Sequence, residues 1–183
     1  MTTPPSTRVL TLLTCAAPLA ERAADIAGAF TSAGWRVCVV TTPSASAWVD
    51  AEAIEALTGH APRSMQRSPA NPSQDAFSGS AVIVAPLTFN TLNKWALGIA
   101  DNYALGILCE AVALGRPVVA VPMIGRRFWG HPATATSMAL LLGCGVTMVD
   151  LAGGRGTISP LESGSGPSLA AAFDPTTLLA RFA

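Results

Sequence analysis

Five short apolar runs, each followed by a small-residue or polar turn and most then by a longer amphipathic stretch, constrain this chain more than any other feature. They are Arg8–Leu13, Arg36–Thr41, Ala81–Pro86, Arg116–Pro122 and Gly145–Val149. Such runs, rich in Val, Ile and Leu and too short for helices, read as strands buried on both faces. The segments between them, roughly Leu19–Ala33, Ser46–Leu57, Leu92–Leu114 and Pro132–Leu142, read as helices, with a last one near Pro175–Phe182. Alternation of this kind predicts a parallel sheet covered on both sides, a three-layer, doubly wound α/β fold.

The length of 183 residues suits a single domain, 1–183, of the Rossmann or flavodoxin-like kind. Residues 1–7 read as a mobile tail, Thr58–Ser80 as a long polar loop, and 153–168 as a flexible Gly/Ser/Pro-rich flap. Half of the residues are hydrophobic and 12% are charged, eleven acidic against eleven basic, so there is no basic footprint for nucleic acid. A surface so poor in charge predicts a homo-oligomer that hides apolar area between copies. No apolar run is long enough to cross a bilayer and no signal core opens the chain, so a cytoplasmic protein without membrane contact is expected. Cys15, Cys38, Cys109 and Cys144 are scattered without a C-x-x-C pair, which reads as free thiols rather than a disulfide framework or a metal site.

In an open α/β sheet the ligand sits where strand C-termini meet helix N-termini. Three turns qualify. Pro86-Leu-Thr-Phe-Asn-Thr91 follows the third run, and its uncharged Thr88, Asn90 and Thr91 suit a phosphate or a sugar; an ordinary helix cap is the alternative. Thr14, Cys15 and Ala16 follow the first run and let backbone amides approach a ligand. Thr41, Thr42 and Ser44 follow the second, again with capping as the alternative. There is no GxGxxG fingerprint.

The third turn resembles the flavin turn of the homo-oligomeric flavin-containing cysteine decarboxylases (HFCD flavoproteins), Pro-Ala-Ser-Ala-Asn-Thr followed by a helix ending near Ala-Asp-Asn. The likeness runs without a gap from Pro86 to Asp101-Asn102, about seventeen residues. It implies FMN as cofactor, bound by the three turns with Pro86, Phe89 and Asp101 among the contacts, by Thr88 and Thr91 at the ribityl phosphate, and with Asn90 on a substrate carboxylate. It also implies a trimer with sites between subunits, and trimers that assemble into dodecamers. The glycines of the family's first turn are missing around Thr14–Ala16.

Pro122-Met-Ile-Gly-Arg-Arg-Phe-Trp-Gly-His-Pro132 resembles the family's substrate turn, Pro-x-Met-Asn-x-x-Met-Trp with a later Pro. Pro122, Trp129 and Pro132 are kept, while Ile124, Gly125 and Phe128 replace Met, Asn and Met. Ile124, Arg126, Arg127 and Trp129 are therefore the expected substrate contacts. The two arginines suit a bidentate grip on a carboxylate, the alternative being two solvated surface charges. Where phosphopantothenoylcysteine decarboxylases carry a reducing Cys in a Leu-Ala-Cys-Gly flap, this chain has Gly153. The family's His, about fourteen residues before the flavin turn, is Pro72 here, which leaves His60 as the candidate for proton transfer; a surface or capping role is its alternative.

By resemblance the chain is closest in logic to the peptidyl-cysteine decarboxylases of lanthipeptide- or linaridin-type peptide modification. The implied reaction is FMN-dependent oxidative decarboxylation of a peptide's C-terminal cysteine, through a thioaldehyde, to an enethiolate. The alternative is a flavin-binding regulatory or interaction protein of the same family without that activity. A flavin prenyltransferase is a third, weaker reading.

Overall fold

A computed structural model describes residues 8–65, 79–151 and 158–182. Five parallel strands, β1 (Val9–Thr14), β2 (Arg36–Thr41), β3 (Ala81–Leu87), β4 (Val118–Pro122) and β5 (Thr147–Met148), form one sheet in the order β2-β1-β3-β4-β5. The register pairs Leu10 with both Val37 and Ala81, and Val82 with Val118. β1 passes leftward to β2 and β3 passes rightward to β4, so the direction of winding reverses between β1 and β3.

The expected three layers are present. Along each strand alternate side chains enter opposite cores. Leu10, Leu12, Val37, Val39, Ile83 and Val119 join one cluster with Ile26 and Phe30 of α1 (Ala23–Ser32) and Ile54 of α2 (Ala51–Thr58). Leu13, Val40, Val82, Val84 and Ala120 join the other. It is completed by Leu92 and Trp95 of α3 (Phe89–Ala96), Leu105 and Leu108 of α4 (Tyr103–Ala113) and Leu141, which belongs to α6 (Pro132–Gly143) beyond the one-turn α5 (Arg126–Trp129). Removing one of these fully buried leucines would cost about 2–5 kcal/mol. Near the C-terminus, α7 (Gly166–Ala172) and α8 (Thr176–Leu179) pack on the first layer, and Phe182 stacks edge-on against Phe30 and Trp35.

Two local expectations are corrected. The helix read from Leu92 to Leu114 is two helices: Gly98 adopts φ +70°, and Asn102 then caps α4 by accepting from the Leu105 amide at 3.0 Å. Amphipathic spacing continued through this break, whereas backbone geometry did not. α1 follows directly on a 3-10 turn at Pro18–Arg22, whereas the 3-10 turn at Pro43–Trp48 is separated from α2 by the extended Val49 and the capping Asp50. Of the flap, residues 152–157, Gly153 included, lie outside the described residues, as does Pro72. Leu161 forms a parallel bridge with Gly125, and α7 starts at Gly166. Among the described residues no helix is long and apolar enough to cross a membrane.

Candidate functional site

The C-terminal ends of four strands open into one cleft of about 1070 Å³. Its walls are Ala16–Pro18 after β1, Thr42–Ser44 after β2, Thr88–Thr91 after β3 and Met123–Phe128 after β4, with residues 161–167 closing one side. This is the crevice that a winding reversal leaves open, because the two flanking connections diverge.

At the centre, β3 ends irregularly: its register with β4 shifts between Val84 and Leu87. That end delivers Thr88 in extended conformation as the residue preceding α3. Thr88 makes no side-chain capping bond. Its hydroxyl donates instead to Thr91 Oγ1 at 3.4 Å, which also receives the Cys15 thiol at 3.3 Å. The first-turn amides of α3 therefore face the cleft without a side-chain cap, at the positive end of the helix dipole. Asn90, in the second helical position, is exposed there.

The wall after β2 carries an orphan. Thr42 is 6% exposed, and its hydroxyl is buried with no hydrogen-bond partner among the described residues. Leaving such a group unpaired costs about 1–3 kcal/mol. Thr42 is fixed by its own amide, which donates to the Thr14 carbonyl at 2.9 Å. Ser44, exposed, lies beside it on the same wall.

Several expected contacts lie beneath the walls rather than in them. The Thr14 hydroxyl donates to the Ala85 carbonyl at 2.7 Å, and Thr14 is fully buried. Cys15 is 1% exposed; burial pushes its thiol pKa up, against the pull of its hydrogen bonding with Thr91 and Thr88. The Thr41 hydroxyl pairs with Ser46 Oγ at 3.2 Å, and Pro86 is buried inside β3. Of the first turn's three expected residues, Ala16 alone lines the cleft. Asp101 is ion-paired with Lys94 and lines a smaller neighbouring pocket, while Asn102, beside it in sequence, lines the cleft. Trp129 is half-buried against the second core. His60 follows the Gly59 cap of α2, its amide donating to Thr58 Oγ1 at 3.3 Å, and it does not line the cleft.

The substrate turn separates its two arginines. Arg126 is tied to Glu162, whose carboxylate raises the guanidinium pKa and is itself held below its ordinary value by Arg126. Arg127 is exposed on the cleft wall and makes no ion pair among the described residues. Ile124 is 2% exposed; its carbonyl accepts from the Leu161 amide at 2.9 Å, and Arg126 donates its amide back to Leu161 at 3.0 Å. At the rim, Phe89 and Phe128 stack with centroids 4.8 Å apart.

Sequence reasoning missed Met123, Leu161, Glu162, Gly166 and Pro167 as wall residues. A Cβ on Gly166 would stand 3.1 Å from Pro18 Cγ and 3.2 Å from Met123 Cε, so this glycine lets α7 close against the cleft. Composition marked the segment only as flexible, although a glycine beside a helix-starting proline was the available signal.

Among curated proteins, the coenzyme A biosynthesis bifunctional protein CoaBC of Mycolicibacterium smegmatis is 32% identical over 162 residues, 87% of this chain and 38% of its own length. The phosphopantothenoylcysteine decarboxylase of Mus musculus is 42% identical over 60 residues, 33% of this chain and 29% of its own. The chain thus spans well under half the length of these relatives. Among solved structures, the FMN-dependent cysteine decarboxylase SpaF superposes with a TM-score of 0.68 at 22% identity, covering 97% of this chain and 98% of that one. The FMN binding protein AtHal3 gives 0.66 at 20% identity, with 95% and 96% covered. At these identities the superpositions show the fold. The family model described as Flavoprotein runs from residue 2 to 171, through every strand of the sheet and every turn of the cleft, and the chain belongs to that family.

Proposed function

We propose that the cleft binds FMN and that the chain uses it to decarboxylate, oxidatively, the C-terminal cysteine of a peptide. The observation that carries this reading is the partnerless Thr42 hydroxyl, buried in one wall of a cleft whose other wall is the uncapped start of α3. The first-turn amides of α3, with the Thr88 and Thr91 hydroxyls, suit a phosphate, and no carboxylate in that turn opposes one. Thr42 and Ser44 suit polar edges of the same ligand. The residues present therefore fit a phosphate-bearing cofactor with a polar ring system.

When bound, FMN supplies the two-electron oxidation of the carbon that carries the substrate sulfur. The cysteine Cα–carboxylate bond then breaks, CO2 leaves, and the bonding pair remains in the C=C of the enethiolate. In sum the peptide loses CO2 and two hydrogens. The chain's own part is positioning. Asn90 offers its side-chain amide to the substrate carboxylate, and Arg127 adds a free cation at the same wall. Arg126 is engaged by Glu162. Among the described residues the ionisable side chains lining the cleft are Lys94, Arg126, Arg127 and Glu162, so no proton is routed through His60.

One observation favours a second reading, a flavin-binding protein without turnover. Gly125 stands where the resembled family has Asn, and a Cβ there would meet nothing within 4 Å. The amide is missing while the room for it remains. Incubating the purified protein with peptides ending in Cys or Ser, alongside phosphopantothenoylcysteine, separates the cases by mass. Loss of CO2 and two hydrogens from the Cys peptide is the expected result; a flavin-loaded protein that leaves every mass unchanged supports the second reading.

A further inference from the structure

Resting on the FMN reading, we infer that the buried Cys15 is a positioning residue for the cofactor's phosphate. Its thiol donates to the Thr91 hydroxyl and so leaves the Thr91 proton free for an anionic oxygen in the cleft.

The end of β1 is bound to the end of β3 at two successive residues. The Thr14 hydroxyl donates to the Ala85 carbonyl at 2.7 Å, and the Cys15 amide donates to the Pro86 carbonyl at 3.3 Å. These bonds fix the Cys15 backbone against the turn that opens α3. Cys15 is 1% exposed and belongs to the second core, so its sulfur meets Thr91 Oγ1, at 3.3 Å, from the buried side.

A hydroxyl oxygen has two lone pairs and one proton. At Thr91 both lone pairs are taken, one by the Cys15 thiol and the other by the Thr88 hydroxyl at 3.4 Å. The Thr91 proton itself has no acceptor among the described residues. Thr91 is 3% exposed and lines the cleft. A buried donor without an acceptor is costly until a ligand supplies one. An anion is the acceptor that the neighbouring first-turn amides of α3 also suit.

Sulfur fits this role better than oxygen. A thiol is a weak acceptor, so it competes little for the Thr91 proton, whereas a serine hydroxyl would compete for it. A thiolate would reverse the bond and set a negative charge beneath the phosphate. Burial opposes that outcome by pushing the Cys15 thiol pKa up.

The test compares FMN with riboflavin, which lacks the phosphate, by titration calorimetry on the full chain. The parent should bind FMN more tightly. Cys15→Ala should weaken FMN about tenfold and leave riboflavin unchanged, while Cys15→Ser, which keeps a donor, should recover part of the loss. In a Thr91→Val background Cys15→Ala should cause no further loss, because the thiol acts only through that hydroxyl. A spectroscopic readout is independent of affinity. The S–H stretch that Cys15→Ser removes from the infrared spectrum should, in the parent, move to lower frequency with FMN and stay in place with riboflavin. A Thr91 hydroxyl that donates is a stronger acceptor for the thiol. Equal losses for the two flavins in Cys15→Ala would overturn the inference, since the thiol would then serve packing alone. Full FMN affinity in that variant would overturn it too, as would an S–H band that FMN leaves in place. If Cys15→Ala does not fold, the infrared result decides. A parent that binds neither flavin would reject the FMN reading and this role with it, whereas a parent that binds FMN with an unmoved band would reject the role alone.

Discussion

Thr42 shows most directly how one residue reports a ligand. Its hydroxyl pays desolvation without compensation in the ligand-free chain, so Thr42→Val, which keeps shape and removes the polar atom, should stabilise the ligand-free protein by about 1 kcal/mol. The same change should weaken FMN binding several-fold. Thermal melts with and without FMN check both signs, and the variant should gain less from added FMN than the parent. Cys15 makes a second case. Burial raises its pKa, so at mildly alkaline pH it stays a thiol, unreactive in the native fold, whereas the exposed Cys144 alkylates first. Mass spectrometry after brief iodoacetamide treatment should find Cys144 labelled and Cys15 unlabelled. Sequence alone could mark Thr42 and Cys15 as turn residues at strand ends. It could not separate a buried hydroxyl left without a partner from one spent on a neighbouring carbonyl, as at Thr14, because that depends on which strand lies alongside.

The strands β1 to β4 were legible because they are buried on both faces, which leaves a largely apolar run, and the parallel sheet follows from their alternation with helices. Helix ends were less legible. The α3–α4 break depends on Gly98 in the left-handed region, where any side chain is strained. Gly98→Ala should destabilise the fold by about 1–2 kcal/mol, measurable by denaturant titration. The wall formed by residues 161–167 was invisible in composition, because its order comes from the Gly125–Leu161 bridge and the Arg126–Glu162 pair. The pKa of Glu162 is lowered in the folded chain, so the pair's contribution is present above the ordinary carboxylate pKa and is lost as pH falls through the lowered value. Amide chemical shifts of Leu161 and Arg126 should therefore titrate together below about pH 4.5, the ordinary glutamate region. Glu162→Gln should abolish that titration, and shifts that move identically in the variant would remove the pair from this role.

At the scale of the molecule, a two-sided core and a winding reversal open a cleft at the strand C-termini that gathers the turns of four strands. Leu97, Leu114 and Leu142, from 51% to 73% exposed, leave apolar surface for copies of the chain to cover, which supports the proposed homo-oligomer. Light scattering should return a multiple of the 18.7 kDa chain mass, and a monomer at micromolar concentration would contradict it. The central claim is that the cleft holds FMN and acts on a terminal cysteine. It is tested most directly by the absorbance of the purified protein together with the mass of a Cys-ending peptide after incubation. The account predicts a yellow protein that removes CO2 and two hydrogens from that peptide and nothing from its Ser counterpart. A colourless protein that takes up no added FMN would contradict it.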